Sequence, residues 1–267
     1  MRIKRVMGWV IGILGLGIAP LWAEEEMVLI PAGEFFMGSE EGEGSPDEHP
    51  VHKVYLDAFH LDRYEVTGTD FERYLERFHT EYPTITGWYD RKVRPDMAKR
   101  PVFGLTWKRC RDYCLRNGKR LPTEAEWERA ARGTVSRRYP WGSEEPDATR
   151  ANFGKCCFVM RGTILEPVGS YPKGAAPEGI FDLAGNVAEW VFDWYDKNYY
   201  KVSDYKNPRG PETGMYHVIR GGAWNSLPVY LTTTRRYGDD DAKDYYGIGC
   251  RCAKSVSPAE GPGLPQP

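Results

Sequence analysis

The chain has 267 residues, with 36 basic and 38 acidic side chains, a net charge of −2, 13% aromatics, 29 glycines and 20 prolines. A mildly acidic chain of this kind is a poor binder of nucleic acid, and its density of charged side chains argues against embedding in a membrane. Gly, Pro and ring content predict short elements, many turns and a core built on large side chains. No period repeats and no Pro/Gly/Ser-rich linker divides the chain, so one large domain is expected.

Arg2, Lys4 and Arg5 precede an apolar run from Val6 to Ile18, and Leu21-Trp22-Ala23 ends in a small residue before Glu24-Glu25-Glu26. This is the layout of a secretory signal peptide over residues 1–23. The run falls short of the ~20 apolar residues of a membrane span, and Gly12, Gly15, Gly17 and Pro20 interrupt it. No membrane span is expected after cleavage, and the mature chain is expected in the periplasm or outside the cell. Its domain is expected over residues 24–256. The tail from Ser257 to Pro267, with four prolines and two glycines, is expected to be disordered.

Short strands are predicted over Met27 to Ile30 and Val51 to Leu61. Thr67 caps a helix whose Phe71, Tyr74, Leu75 and Phe78 share one face. Thr106 caps a second helix that ends at Gly118, a residue suited to the left-handed C-terminal position. Thr123 and Glu126 form a capping box for a third, which stops at Gly133. Pro122 keeps the second helix from running into the third. Further short strands are predicted over Val218 to Arg220 and Gly249 to Val256, giving an α+β, loop-rich fold class.

Cys110 and Cys114 lie one turn apart on the second helix, about 6 Å along its axis. Cys250 and Cys252 lie two apart on the last strand, about 6.6 Å along it and on one face. The matched spacings allow two disulfide rungs between helix and strand. Buried free thiols and a four-thiolate zinc site are the alternatives. An exported chain favours disulfides. The adjacent Cys156 and Cys157 read as structural thiols, a strained vicinal disulfide or a pair of soft-metal ligands. Asp239-Asp240-Asp241 with Asp244 reads as a solvated acidic loop. Ser226 has no His-Asp relay to make it a nucleophile.

Four blocks stand in order along the chain. Gly118-Lys119-Arg120-Leu121-Pro122-Thr123-Glu124-Ala125-Glu126-Trp127-Glu128-Arg129-Ala130-Ala131-Arg132-Gly133 comes first, and Tyr139-Pro140-Trp141-Gly142 follows. The third runs from Gly179 through Asp182-Leu183-Ala184-Gly185-Asn186-Val187-Ala188-Glu189-Trp190, and the fourth is Arg220-Gly221-Gly222-Ala223-Trp224. Together they resemble the formylglycine-generating-enzyme, or sulfatase-modifying-factor, family from about Met27 to Val256. The resemblance implies a variant of the C-type lectin-like fold. It implies a disulfide between Cys114 and Cys252, leaving Cys110 with Cys250 as a second rung. It also implies a structural calcium ion on carboxylate oxygens of Asp182 and Glu189 and carbonyls of Gly185 and Val187, a hard-oxygen set. A second calcium would begin at Asn152 and the Phe153 carbonyl, with Glu166 as a substitute ligand. His52 matches a histidine of an ordinary strand, which makes His49 and His52 structural.

The family's enzymes oxidise a protein cysteine to formylglycine with oxygen and a copper(I) ion held by two thiolates, the soft ligands that ion needs. Those two positions fall on Ser226 and Leu231 here, and a tryptophan common at the active site is replaced by Ala188. Copper is therefore not expected. Arg235 and Arg236 match basic positions facing the family's substrate cleft, and Trp224 and Ser226 border it. The resemblance with its missing thiolates implies a non-catalytic binding or assembly module whose cleft takes a protein, peptide or glycan. The alternative is an oxidoreductase of the formylglycine-generating type that oxidises a protein cysteine with Cys156 and Cys157 or with a copper site elsewhere in the chain.

Overall fold

The structure is a computed structural model that describes residues 27–80, 88–89, 92–155, 164–240 and 247–256. The signal segment, the tail and the Cys156-Cys157 pair lie outside the described residues. β1 (Met27–Ile30) and β2 (Gly33–Met37) open the domain, followed by β3 (His52–Leu56) and β4 (Phe59–Asp62). β2 pairs antiparallel with β3, while β4 turns away to pair with β1. The strand expected over Val51 to Leu61 is thus two strands. Asp57 and Ala58 break it, with the Asp57 N–H donating to Asn207 Oδ1 at 2.9 Å instead of to a ladder.

α1 (Gly68–Phe78) begins at the Thr67–Asp70 capping box and buries Phe71, Tyr74 and Leu75. β5 (Trp88–Tyr89) and β6 (Lys92–Val93) form a small hairpin. α2 (Trp107–Arg116) starts at the Thr106 cap and buries only Cys110 and Cys114. Gly118, just beyond its end, has φ +71, the left-handed region in which glycine has no Cβ penalty. α3 (Glu124–Arg132) starts at the Thr123–Glu126 box and is buried at all nine positions, charged ones included.

β7 (Ala188–Trp194) is the central strand. The larger sheet has the order β10-β7-β8-β9, with β8 (His217–Arg220), β9 (Arg236–Asp239) and β10 (Ile248–Gly249). β11 (Ala253–Ser255) completes a second sheet of order β1-β4-β11. Side chains alternate along β7 with the two-residue period of a strand. Trp190 enters a core with α1, α2 and Trp224, while Val191 enters another with Trp127 of α3 and β1 to β4.

The strand expected over Gly249 to Val256 is also divided, because β10 and β11 belong to different sheets. Between them Cys250 and Cys252 give their carbonyls to the N–H groups of Val66 and Asp62, at 2.9 and 2.8 Å. Cys114 and Cys252 form a disulfide with a Cα separation of 5.6 Å. The second rung is not formed in the structure, where Cys110 and Cys250 are buried free thiols in one apolar cluster. The passage between the two sheets is not a straight strand, so the two rungs expected from regular spacing are not equivalent.

Candidate functional site

The loop from Asp182 to Glu189 is where the four sequence blocks meet. Gly185 N–H donates to the Gly221 carbonyl at 3.0 Å, Asn186 N–H to the Asn152 carbonyl at 2.8 Å, and Trp224 N–H to the Asn186 carbonyl at 3.0 Å. Trp127 of α3 donates its indole N–H to Glu189 at 2.8 Å. Ala184 packs with Tyr139 and Leu231 in a third apolar cluster. Gly185 is required here: its φ is +84, and a Cβ would stand 2.4 Å from the Asn152 carbonyl oxygen. Asp182 and Asn186 adopt φ of 58 and 59, the left-handed conformation that short polar side chains tolerate best after glycine.

Three acids gather on this loop, all almost fully buried: Glu65, Asp182 and Glu189. Arg251 is the guanidinium set among them, itself fully buried. It grips both oxygens of Glu189 at 2.7–3.0 Å and also donates to the carbonyls of Asp62, Arg63 and Phe181. Glu65 accepts from the Asn186 amide at 2.8 Å and the Val187 N–H at 3.1 Å. Burial, then the charges of Asp182 and Glu189, push its carboxyl well above the usual range. Burial raises Asp182 to about 6, against a pull downward from the Gly169 N–H. Three acids around one guanidinium leave buried negative charge that protonation or a bound cation must offset.

Among the residues expected to hold calcium, Asp182 accepts the Gly169 N–H at 2.7 Å through one carboxylate oxygen, and Gly185 and Val187 follow it on the same loop. Glu189 faces Arg251 and Trp127, so its carboxylate is already engaged on both oxygens. In the second set, Asn152 and Phe153 with Glu166, the Glu166 carboxylate is already engaged by cations. Lys155 places its ammonium 3.0 Å from Glu166 and 3.3 Å from the Ile164 carbonyl, and Arg100 stands 3.6 Å from Glu166. Asn152 turns its NH2 group toward the Ile164 carbonyl and Asn186 Oδ1, leaving its own buried Oδ1 without a hydrogen-bond partner. Among the described residues no three His, Cys, Asp or Glu side chains converge as metal ligands.

The two positions expected to correspond to copper thiolates are structural here. Ser226 accepts the Ala223 N–H at 2.9 Å through its hydroxyl, closing a turn. Leu231 is fully buried among Tyr139, Ala151 and Ala184. Trp224, expected at the cleft, is a core residue packed edge-to-face against Phe103. Arg236, expected to face the cleft, is buried as well. Its guanidinium holds both oxygens of Glu124 at 2.7 and 2.8 Å and lies 4.3 Å from the Tyr200 ring centroid. Glu124 of α3 needs that cation, and Arg220 joins the same network through Glu128 at 2.6 Å. Arg235 alone of the pair reaches a cavity. It lies between the rings of Tyr230 and Tyr237, bonds Ser45 and Glu48, and borders about 340 Å³ of space with Arg137, Arg138, Val229 and Thr232. His49 and His52 do not converge: His49 bonds the Glu43 carbonyl and His52 packs on Tyr200.

Sequence reasoning missed Glu65, Arg220 and Arg251. Arg251 had a signal, because alternation between Cys250 and Cys252 sends it to the opposite, equally buried side.

The match to the sulfatase-modifying factor enzyme 1-like domain covers residues 19–256. The chain belongs to this family, and its fold is the family's variant of the C-type lectin-like fold. It is 43% identical over 248 residues to a serine/threonine-protein kinase pkn1 of Chlamydia pneumoniae, covering 87% of this chain and 38% of the kinase. The chain therefore spans well under half the length of such kinases. It is 33% identical over 287 residues to a formylglycine-generating enzyme of Streptomyces coelicolor, covering 88% of this chain and 90% of that one. Among solved structures, PvdO from Pseudomonas aeruginosa superimposes with a TM-score of 0.72 at 26% identity, over 86% of this chain and 94% of PvdO.

Proposed function

We propose that this chain is an exported, non-catalytic sulfatase-modifying-factor module that binds a protein, peptide or glycan partner. The observation that carries the reading is the pair Ser226 and Leu231. A hydroxyl committed to a turn and a buried isobutyl group supply no soft ligand for copper(I). The binding role is supported by the cavity beside Arg235, whose rim adds Arg137 and Arg138 to the apolar Val229. Exposed Leu227 and Val229, 60% and 59% accessible, lie on the same loop as Ser226. Export is supported by the signal-like start and by the disulfide, a bond of oxidising compartments. No helix among the described residues is long and apolar enough to cross a membrane. Asp182 with the carbonyls of Gly185 and Val187 would hold a structural calcium ion, which would offset the buried negative charge around Arg251.

A second reading has one observation in its favour. Lys155 N–H donates to the Trp224 carbonyl at 2.8 Å and Gly154 N–H to the Ser226 carbonyl at 3.0 Å. Lys155, which directly precedes Cys156 in the sequence, therefore runs alongside the segment that carries the first thiolate position. The test is oxygen uptake and mass spectrometry with a cysteine-containing peptide and added copper. The non-catalytic reading expects no copper-dependent turnover and no formylglycine. Turnover lost in Cys156→Ser/Cys157→Ser would overturn it.

A further inference from the structure

Cys110 and Cys250 are buried to 0% and 1% accessibility and are the two free cysteines among the described residues. Both pack into the same apolar cluster. They lie one helical turn and two residues from the bonded pair Cys114 and Cys252. Among the described residues no third His, Cys, Asp or Glu joins them as a metal ligand. Two buried cysteines carried by a helix and a chain segment already cross-linked nearby are placed to form a second bond.

We infer that Cys110 and Cys250 are a redox site that closes to a second disulfide, clamping both flanks of Arg251. Arg251 stands between Cys250 and Cys252 and holds Glu189 at the end of the candidate cation loop. With one rung, the Cys252 flank is covalently fixed. With two, the guanidinium is held from both sides, and the redox state of the pair sets the rigidity of the loop. The oxidant is a small-molecule disulfide. One cysteine, as thiolate, attacks it and forms a mixed disulfide, releasing the first thiol. The second cysteine attacks the mixed disulfide and releases the second thiol. Two S–H bonds and the oxidant's S–S bond are lost; the Cys110–Cys250 bond and two small-molecule S–H bonds are gained. Burial holds the Cys250 thiol well above its usual range. The folded dithiol therefore reacts slowly, and the bond forms during folding or local opening.

The experiment uses the full mature chain with Cys156→Ser/Cys157→Ser, which leaves four cysteines. The chain is refolded from urea in buffers of graded oxidised-to-reduced glutathione ratio. It is then acid-quenched, unfolded, alkylated and weighed intact. The expected series passes through no alkylated cysteines, then two, then four as the buffer becomes more reducing. Peptide mapping should find Cys110 joined to Cys250 in the first state and alkylated at both positions in the second. The two-rung form should melt a few degrees above the one-rung form. Cys110→Ser should fold, keep the Cys114–Cys252 bond and lose the difference in melting. If Cys110 and Cys250 are alkylated at every ratio that preserves Cys114–Cys252, they are packing residues and the proposal is wrong. Glutathione adducts or crossed pairings in place of the Cys110–Cys250 bond would overturn it equally.

Discussion

Replacing Arg251 by Met is the most informative perturbation of the loop. The guanidinium is fully buried, makes three contacts of 2.7–3.0 Å to Glu189, and serves the carbonyls of Asp62, Arg63 and Phe181. Met fills part of the volume and none of the hydrogen bonds. Glu189 is left at 1% accessibility with the Trp127 indole as its remaining donor, beside Glu65 and Asp182. Breaking a buried pair by removing one partner costs about 3–5 kcal/mol. Domains are stable by only about 5–15 kcal/mol, so the variant should stand close to unfolding. The assay is equilibrium urea unfolding of the oxidised chain in chelator at pH 7, where the midpoint should fall with little change in slope. Adding Glu189→Gln to Arg251→Met should recover part of the loss, a coupling above about 1 kcal/mol in the double-mutant cycle. A loss below about 1 kcal/mol for Arg251→Met, or purely additive costs, would refute the claim that Arg251 holds the loop by charge.

Asp182 gives a pH signature. Its folded-state value of about 6 lies above the ordinary 3.8, so the folded state binds the proton more tightly than the unfolded one. In chelator this group's contribution, about 3 kcal/mol, is fully present below pH 3.8 and lost as pH rises through 6. Asp182→Asn should flatten that slope in urea titrations, and calcium should oppose the loss in the parent chain but not in the variant. Cys114→Ser should cost about 2–4 kcal/mol under oxidising conditions and much less in reductant, read from thermal melts. Arg236→Met should cost about 3–5 kcal/mol, because Glu124 would be left buried without its main cation; a loss within surface-substitution range would restore Arg236 to the cleft. Leu231→Ala should cost about 2–5 kcal/mol in urea unfolding as a core truncation, whereas a solvent-facing residue would tolerate it.

The three helices were legible because their signals are local. Thr67, Thr106 and Thr123 each cap within three residues, and each helix ends within a residue or two of its expected stop. The shared face of Cys110 and Cys114 on the second helix was legible for the same reason. The breaks at Asp57-Ala58 and Cys250–Cys252 were not, since both are set by partners far along the chain: Asn207 for the first, Val66 and Asp62 for the second. Charged residues misled most. Arg235 and Arg236 are neighbours with the same side chain, yet one reaches a cavity and the other is buried against Glu124, 112 residues away in sequence. Glu65, Asp182, Glu189 and Arg251 come from three separate stretches of chain, and only folding shows that they share one enclosure. The loop from Asp182 to Glu189 was visible as a motif; its use as the junction of all four blocks was not.

The central claim is that this family member has lost the copper site. Copper(I) titration of the mature chain against a chromophoric chelator tests it directly, with Cys156→Ser/Cys157→Ser titrated beside it. The account predicts that neither protein takes copper from the chelator. Tight binding by the parent chain, abolished in the double variant, would contradict it and place a copper-thiolate centre at Cys156 and Cys157.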